Sequence, residues 1–140
     1  MDIISKEIRS KNMQAIKGKK TRLEQSVFSS LWKRGYRFRT NVKDLKGKPD
    51  IAVKKYKAVI FIDSCFWHGC SMHFRLPEAN RNFWGIKIGE NILRDDSVTE
   101  YYVNRGWNIL RVWEHEIKQE PEQALNKLEY FLRSCGFGET

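Results

Sequence analysis

Hydrophobic and polar positions change their rhythm several times along the 140 residues. In "TRLEQSVFSSLWKRG", Leu23, Val27 and Leu31, with Phe28 and Trp32 beside them, recur at helical spacing. Thr21 and Glu24 make a capping-box pattern at the start, and Gly35 supplies a stop. The basic opening "SKEIRSKNMQAIKGKK" reads as a short helix and a flexible Gly18-Lys19-Lys20 link. "YRFRT" alternates, with Tyr36 and Phe38 on one face and Arg37 and Arg39 on the other, so it predicts a strand. "GKPD" reads as a turn into a strand at Ile51–Val53. "KAVIFI" is a continuous apolar run, the pattern of a strand buried on both faces. A long helix is predicted from Asn82 to Arg105, stopped by Gly106, and "WNILRVW" is a further strand. Pro121 starts a last helix bearing Ala124, Leu125, Leu128, Phe131 and Leu132. The order is helix, three strands, helix, strand, helix. It predicts one α/β domain over residues 1–140, with a central mixed sheet and helices outside.

Composition narrows the function classes. Hydrophobic residues make up 41% of the chain, enough for a core, yet no apolar run suits a membrane span or a signal peptide. Lys and Arg outnumber Asp and Glu by 26 to 17, a net charge of +9, which favours a polyanionic partner, nucleic acid first. Three cysteines, two of them close together, fit a metal site in a reduced, intracellular protein better than a disulfide framework.

Two clusters carry candidate chemistry. In "SCFWHGCSMH", Cys65, Cys70 and His73 have the spacing C-x4-C-x2-H, and His115 follows the second long strand in "VWEHE". Thiolate and imidazole donors favour Zn²⁺, and four of them close a structural site. His68 is an alternative ligand, spaced C-x2-H from Cys65, whereas Cys135 reads as a core thiol. The same loop holds Phe66 and Trp67, two rings awkward to bury between ligands; zinc would make them project. The second cluster is acidic. Asp50 opens one strand and Asp63, thirteen residues on, ends the next, so both carboxylates are expected at one edge of the sheet. Nucleases hold Mg²⁺ beside a phosphodiester with such groups. Pro-Asp with an acidic residue about a dozen positions on resembles the restriction-endonuclease core, but the acid-x-Lys usual there is replaced by "DSC", leaving His68 as the nearest proton-transfer group. Glu24 has a local alternative as a cap, Asp50 as a turn former and Asp95 as an ion-pair partner of Arg94. Trp84, Ile88 and Asp95 share one helix face, directed to the core or a cleft.

"RSKNM", "GKPDI", "VIFIDSCFWHGCSMH", "FW" followed by "KIGENILRD", and "GWNILRVWE" stand in an order that resembles the very-short-patch-repair mismatch endonucleases. The resemblance covers about residues 5 to 117. It implies a restriction-endonuclease-like fold with a structural zinc, and Mg²⁺-dependent nicking of double-stranded DNA 5′ to the T of a T:G mismatch, the product of 5-methylcytosine deamination. By position it implies Asp50 and the Ile62 carbonyl as magnesium contacts. Glu24, His68 and Asp95 match catalytic positions; Cys65, Cys70, His73 and His115 match zinc positions. Phe66, Trp67 and Trp84 match an aromatic wedge that enters the duplex, supported by Met13 from a DNA-contacting segment at residues 1–20. Asp63 departs from the pattern, standing where some members carry a second catalytic histidine; it is a candidate second carboxylate near the metal. Ser64 replaces a usual glycine, and His115 a ligand that is Cys in some members. The implied setting is a monomer in the bacterial cytoplasm, on the nucleoid through DNA, beside mismatch-repair proteins and away from membranes. Two rival readings are a zinc-stabilised DNA-binding module without catalysis and a restriction-type enzyme that cuts matched DNA.

Overall fold

The computed structural model describes residues 22–64 and 81–137. The apolar run at the centre becomes strand β3 (Ala58–Asp63), buried along its whole length. β2 (Ile51–Val53) lies antiparallel on one side of it and β4 (Asn108–Trp113) parallel on the other. β1 (Arg39–Thr40) extends the sheet beyond β2, giving the order β1-β2-β3-β4. A 3-10 turn at Lys54–Tyr56 joins β2 to β3 and closes on Lys57, whose left-handed backbone (φ 51°) reverses the chain. The parallel step from β3 to β4 needs a crossover, and helix α2 (Arg81–Asn104) supplies the described part of it.

Strand side chains alternate between two cores. Ile51, Ile60, Ile62 and Val112 face a core shared with helix α1 (residues 22–33), the short helix α3 (Glu114–Gln119) and helix α4 (Pro121–Ser134). Val27, Phe28 and Leu31 enter it from α1, Ile117 from α3, and Ala124, Leu125, Leu128 and Leu132 from α4. Ala52, Val59 and Phe61 face the opposite way, onto Val98 and Tyr102 of α2. Each fully buried aliphatic contributes about 1.5–3 kcal/mol, so both faces of the sheet are strongly held. The result is the expected mixed sheet flanked by helices. None of the described helices is long and apolar enough to cross a membrane.

Four expectations need correction. The predicted strand at residues 36–40 pairs only at Arg39–Thr40, because β2 offers three residues. Tyr36 is buried instead, with its hydroxyl donating to Glu129 and accepting from Arg133, and Phe38 packs against Phe28 and Trp32. Trp32 is not a full member of the helix's apolar stripe: it is 49% exposed, with the Arg37 guanidinium 3.8 Å from its ring centre. A helix unforeseen in the sequence, α3, follows β4 directly, and Glu116 in its first turn accepts a hydrogen bond from the Trp113 amide (3.4 Å). The long helix runs as expected to within a residue at each end. Cys135, read as a core thiol, is half-buried after α4, and burial pushes its thiol pKa up.

Candidate active site

Strand alternation decides which side chains meet at the end of the sheet. Asp50 shares the parity of Ala52, and Asp63 that of Val59 and Phe61, so both carboxylates face α2. Arg111, between Ile109 and Trp113 on β4, faces the same way. A cleft of about 100 Å³ lies here, lined by Asp50, Asp63, Asp95, Lys48, Arg94 and Arg111 among others.

Asp50 is 7% exposed, and its Oδ2 accepts a hydrogen bond of 2.6 Å from the Ile62 amide. That bond joins the start of β2 to the end of β3 and fixes the carboxylate against the sheet edge. The turn before it is equally constrained. Gly47 has φ +77°, and a Cβ built there would lie 2.6 Å from Val98 Cγ1, so only glycine lets the turn lie on α2. Lys48 holds a left-handed backbone (φ 55°) and its exposed side chain lines the cleft. The Tyr102 hydroxyl donates to the Lys46 carbonyl and tethers the turn from α2. Desolvation pushes its pKa up to about 12, so the donor stays protonated at any ordinary pH.

Asp63 is 4% exposed and paired. Its two oxygens accept from Arg111 Nη1 at 3.0 and 3.2 Å. The same guanidinium donates through Nε to Thr99 Oγ1 (2.8 Å) and through Nη2 to the Asp95 carbonyl (3.1 Å). Its central carbon, Cζ, lies 4.5 Å from the centre of the Phe61 ring. Arg111 is therefore part of the site, although the sequence reading passed over it. A signal was present: in "NILRVW" a charged residue interrupts a strand that reads as core, and buried arginines require carboxylate partners.

Asp95 comes to the cleft as its helix spacing implied. Glu24 is buried on α1 but is not among the residues lining this cleft. Trp84 is 2% exposed, with the Phe83 ring edge-on at 5.0 Å, so it is not presented at the surface in this state. His115 sits in the first turn of α3, its ring stacked on Trp113 at 6.4 Å. Asp63 and Trp113 are register partners, so His115 stands two residues beyond one strand end, and Cys65 follows two residues beyond the other in sequence. Ser64 is buried and reaches Glu114 Oε1 at 3.4 Å, linking these ends. Met13, Cys65, Phe66, Trp67, His68, Cys70 and His73 lie outside the described residues. Among the described residues, no three His, Cys, Asp or Glu side chains converge as a ready metal site.

Comparison with known proteins adds an independent line. The family model described as DNA mismatch endonuclease Vsr matches residues 1–73. The DNA mismatch endonuclease Vsr of Escherichia coli strain K12 is 37% identical over 98% of the chain and 90% of its own length. The type II nicking enzyme V.NaeI of Lentzea aerocolonigenes is 42% identical over 84% of the chain and 74% of its length. V.NmeDIP, a type II nicking enzyme of Neisseria meningitidis serogroup C, is 38% identical over 95% and 91%.

Proposed function

The chain belongs to the DNA mismatch endonuclease Vsr family and is a DNA endonuclease; from that premise we propose that it nicks double-stranded DNA 5′ to the T of a T:G mismatch, by Mg²⁺-dependent phosphodiester hydrolysis. The observation that carries the reading is Asp50, a buried carboxylate tied to the Ile62 amide inside a cleft that also bears the cations Lys48 and Arg94.

The donor chemistry fits a hard divalent ion. The anionic groups lining the cleft are carboxylates, and Mg²⁺ is commonly held by one or two carboxylates together with water and phosphate oxygens. Asp50 and the Ile62 carbonyl are the proposed contacts. When bound, the ion stabilises charge developing on the phosphodiester and makes a bound water more acidic. The chain's own residues do the rest. Lys48 and Arg94 attract the phosphate, the Ile62 amide fixes the orientation of Asp50, and His68 is the proposed proton-transfer group, with Glu24 and Asp95 assisting. Substrate selection falls to the aromatic wedge of Phe66 and Trp67, supported by Met13, because a mismatched step costs less to unstack than a paired one. Trp84 would join that wedge only after leaving its buried position. Zn²⁺ on Cys65, Cys70, His73 and His115 is the proposed scaffold of the wedge loop; thiolate and imidazole donors suit that ion. In this reading the protein works as a cytoplasmic, DNA-associated monomer beside mismatch-repair proteins.

Duplexes with each strand separately labelled test the reading. With Mg²⁺, the T-containing strand of a T:G duplex is expected to be cut once, 5′ to the T, while its partner and matched duplexes stay intact. Cleavage of both strands of matched DNA would establish the restriction-type alternative, and binding without cleavage the DNA-binding module.

A further inference from the structure

Asp63 and Arg111 raise a separate question. Three aspartates line one small cleft, and the two at the strand ends, Asp50 and Asp63, would both be drawn to a divalent ion, yet Asp63 is already engaged by a guanidinium. We propose that Arg111 is a positioning residue that withholds Asp63 from the catalytic ion, leaving Asp50 as the carboxylate that binds it; this rests on the assignment of Asp50 as a metal ligand.

Four N–H···O contacts show how Arg111 is committed. Asp63 takes two from Nη1, Thr99 one from Nε and the Asp95 carbonyl one from Nη2. Phe61 covers one face of the guanidinium, and the arginine side chain is only 21% exposed. A group held from β3 and from α2 at once is not free to swing onto a phosphate; Lys48 and Arg94, both exposed at the same cleft, serve that purpose better. The consequence is electrostatic. Within a cleft that Asp95, Lys48 and Arg94 also line, the ion pair with Arg111 offsets the charge of Asp63, so of the two strand-end carboxylates Asp50 keeps its charge for an ion. Affinity for a hard cation rises with the number of charged oxygen ligands, and each extra protein ligand removes a coordination position from water or phosphate. Arg111 thus keeps the ion loosely held and open to substrate. The bond to the Asp95 carbonyl also ties β4 to α2 beside the cleft.

The test is Mn²⁺ titration of the full chain bound to nicked T:G duplex, following free Mn²⁺ by electron paramagnetic resonance. Wild type is expected to bind one ion, and Asp50→Asn to weaken it at least tenfold. Asp63→Asn leaves the Arg111 guanidinium uncompensated beside Asp50 and should weaken Mn²⁺ binding severalfold through charge alone. Arg111→Met should release Asp63 and tighten binding at least tenfold or admit a second ion, with kcat lowered more than tenfold and KM for DNA little changed. Arg111→Lys, which keeps a cation, should stay within threefold of wild type in Mn²⁺ affinity. The double variant Arg111→Met/Asp63→Asn should bind Mn²⁺ as wild type does. A folded double variant that binds Mn²⁺ at least tenfold more weakly than wild type would make Asp63 a metal ligand and overturn the proposal. A lowered melting temperature in Arg111→Met with unchanged Mn²⁺ affinity would reduce Arg111 to a structural ion pair. Mn²⁺ binding indifferent to Asp50→Asn would instead remove the Asp50 assignment on which the proposal stands.

Discussion

Asp50 was legible in the sequence because a Pro-Asp turn before an apolar strand, with a second acid at the next strand's end, has a geometric meaning that survives folding. Its amide partner was not legible, since a hydrogen bond from Ile62 depends on the antiparallel register. The pairing of Asp63 was hidden for the same reason: Arg111 lies 48 residues away and meets it only through the parallel β3–β4 ladder. Gly47 shows how tightly single positions hold the site. Its φ of +77° and its approach to Val98 leave no room for a methyl group. Gly47→Ala is expected to destabilise the fold by about 1–3 kcal/mol through overpacking. The shifted turn should slow nicking as well, since it carries Lys48 and Asp50. A thermal melt beside a nicking assay checks this, and an unchanged melting temperature would mean that the turn yields without cost.

At the level of elements, the long helix, the central strand and the last helix were readable because periodicity and length were unambiguous over many residues. Short elements were not. β1 depends on how much partner β2 offers, and α3 is too brief to show a repeat. Packing between elements also relies on polar braces that spacing does not reveal. Glu129 on α4 accepts hydrogen bonds from Tyr36 (3.0 Å) and from Arg34 at the end of α1 (2.7 Å). Burial pushes the Glu129 carboxyl up, but these bonds outweigh it and hold its pKa below the usual 4.5. A depressed carboxylate pKa stabilises the fold above the unfolded value and loses that contribution as pH falls through the folded value. Glu129→Gln should therefore melt lower than wild type at neutral pH, and the gap should narrow as pH drops below about 4.5. A constant gap across that range would show that the charge is irrelevant. The proposed zinc site predicts one zinc per chain, lost with Cys70→Ala together with stability, because binding and folding are coupled. Elemental analysis finding no zinc in freshly purified protein would remove that scaffold, and loss after His68→Ala but not His115→Ala would reassign the fourth ligand.

The whole molecule combines a net charge of +9 with a cleft where three aspartates stand among Lys48, Arg94 and Arg111, so attraction to DNA and capture of a cation can be tested separately. In the proposed mechanism, phosphate contacts set general affinity and its salt dependence, whereas unstacking sets preference for the mismatch. Trp67→Ala should accordingly weaken binding to T:G duplex by about tenfold or more, the worth of one stacked base, with little change on matched duplex or in salt slope. Equal loss on both duplexes with a lowered melting temperature would place Trp67 in a core. The central claim is that a DNA endonuclease centred on Asp50 acts at a mismatch. Single-turnover nicking of an end-labelled T:G duplex with Mg²⁺, comparing wild type with folded Asp50→Asn at enzyme concentrations in excess that saturate the duplex, tests it most directly. The account predicts one cut 5′ to the T with wild type and none with Asp50→Asn, although the variant binds the duplex within about tenfold, roughly 1.4 kcal/mol; a normal nicking rate from Asp50→Asn would contradict it.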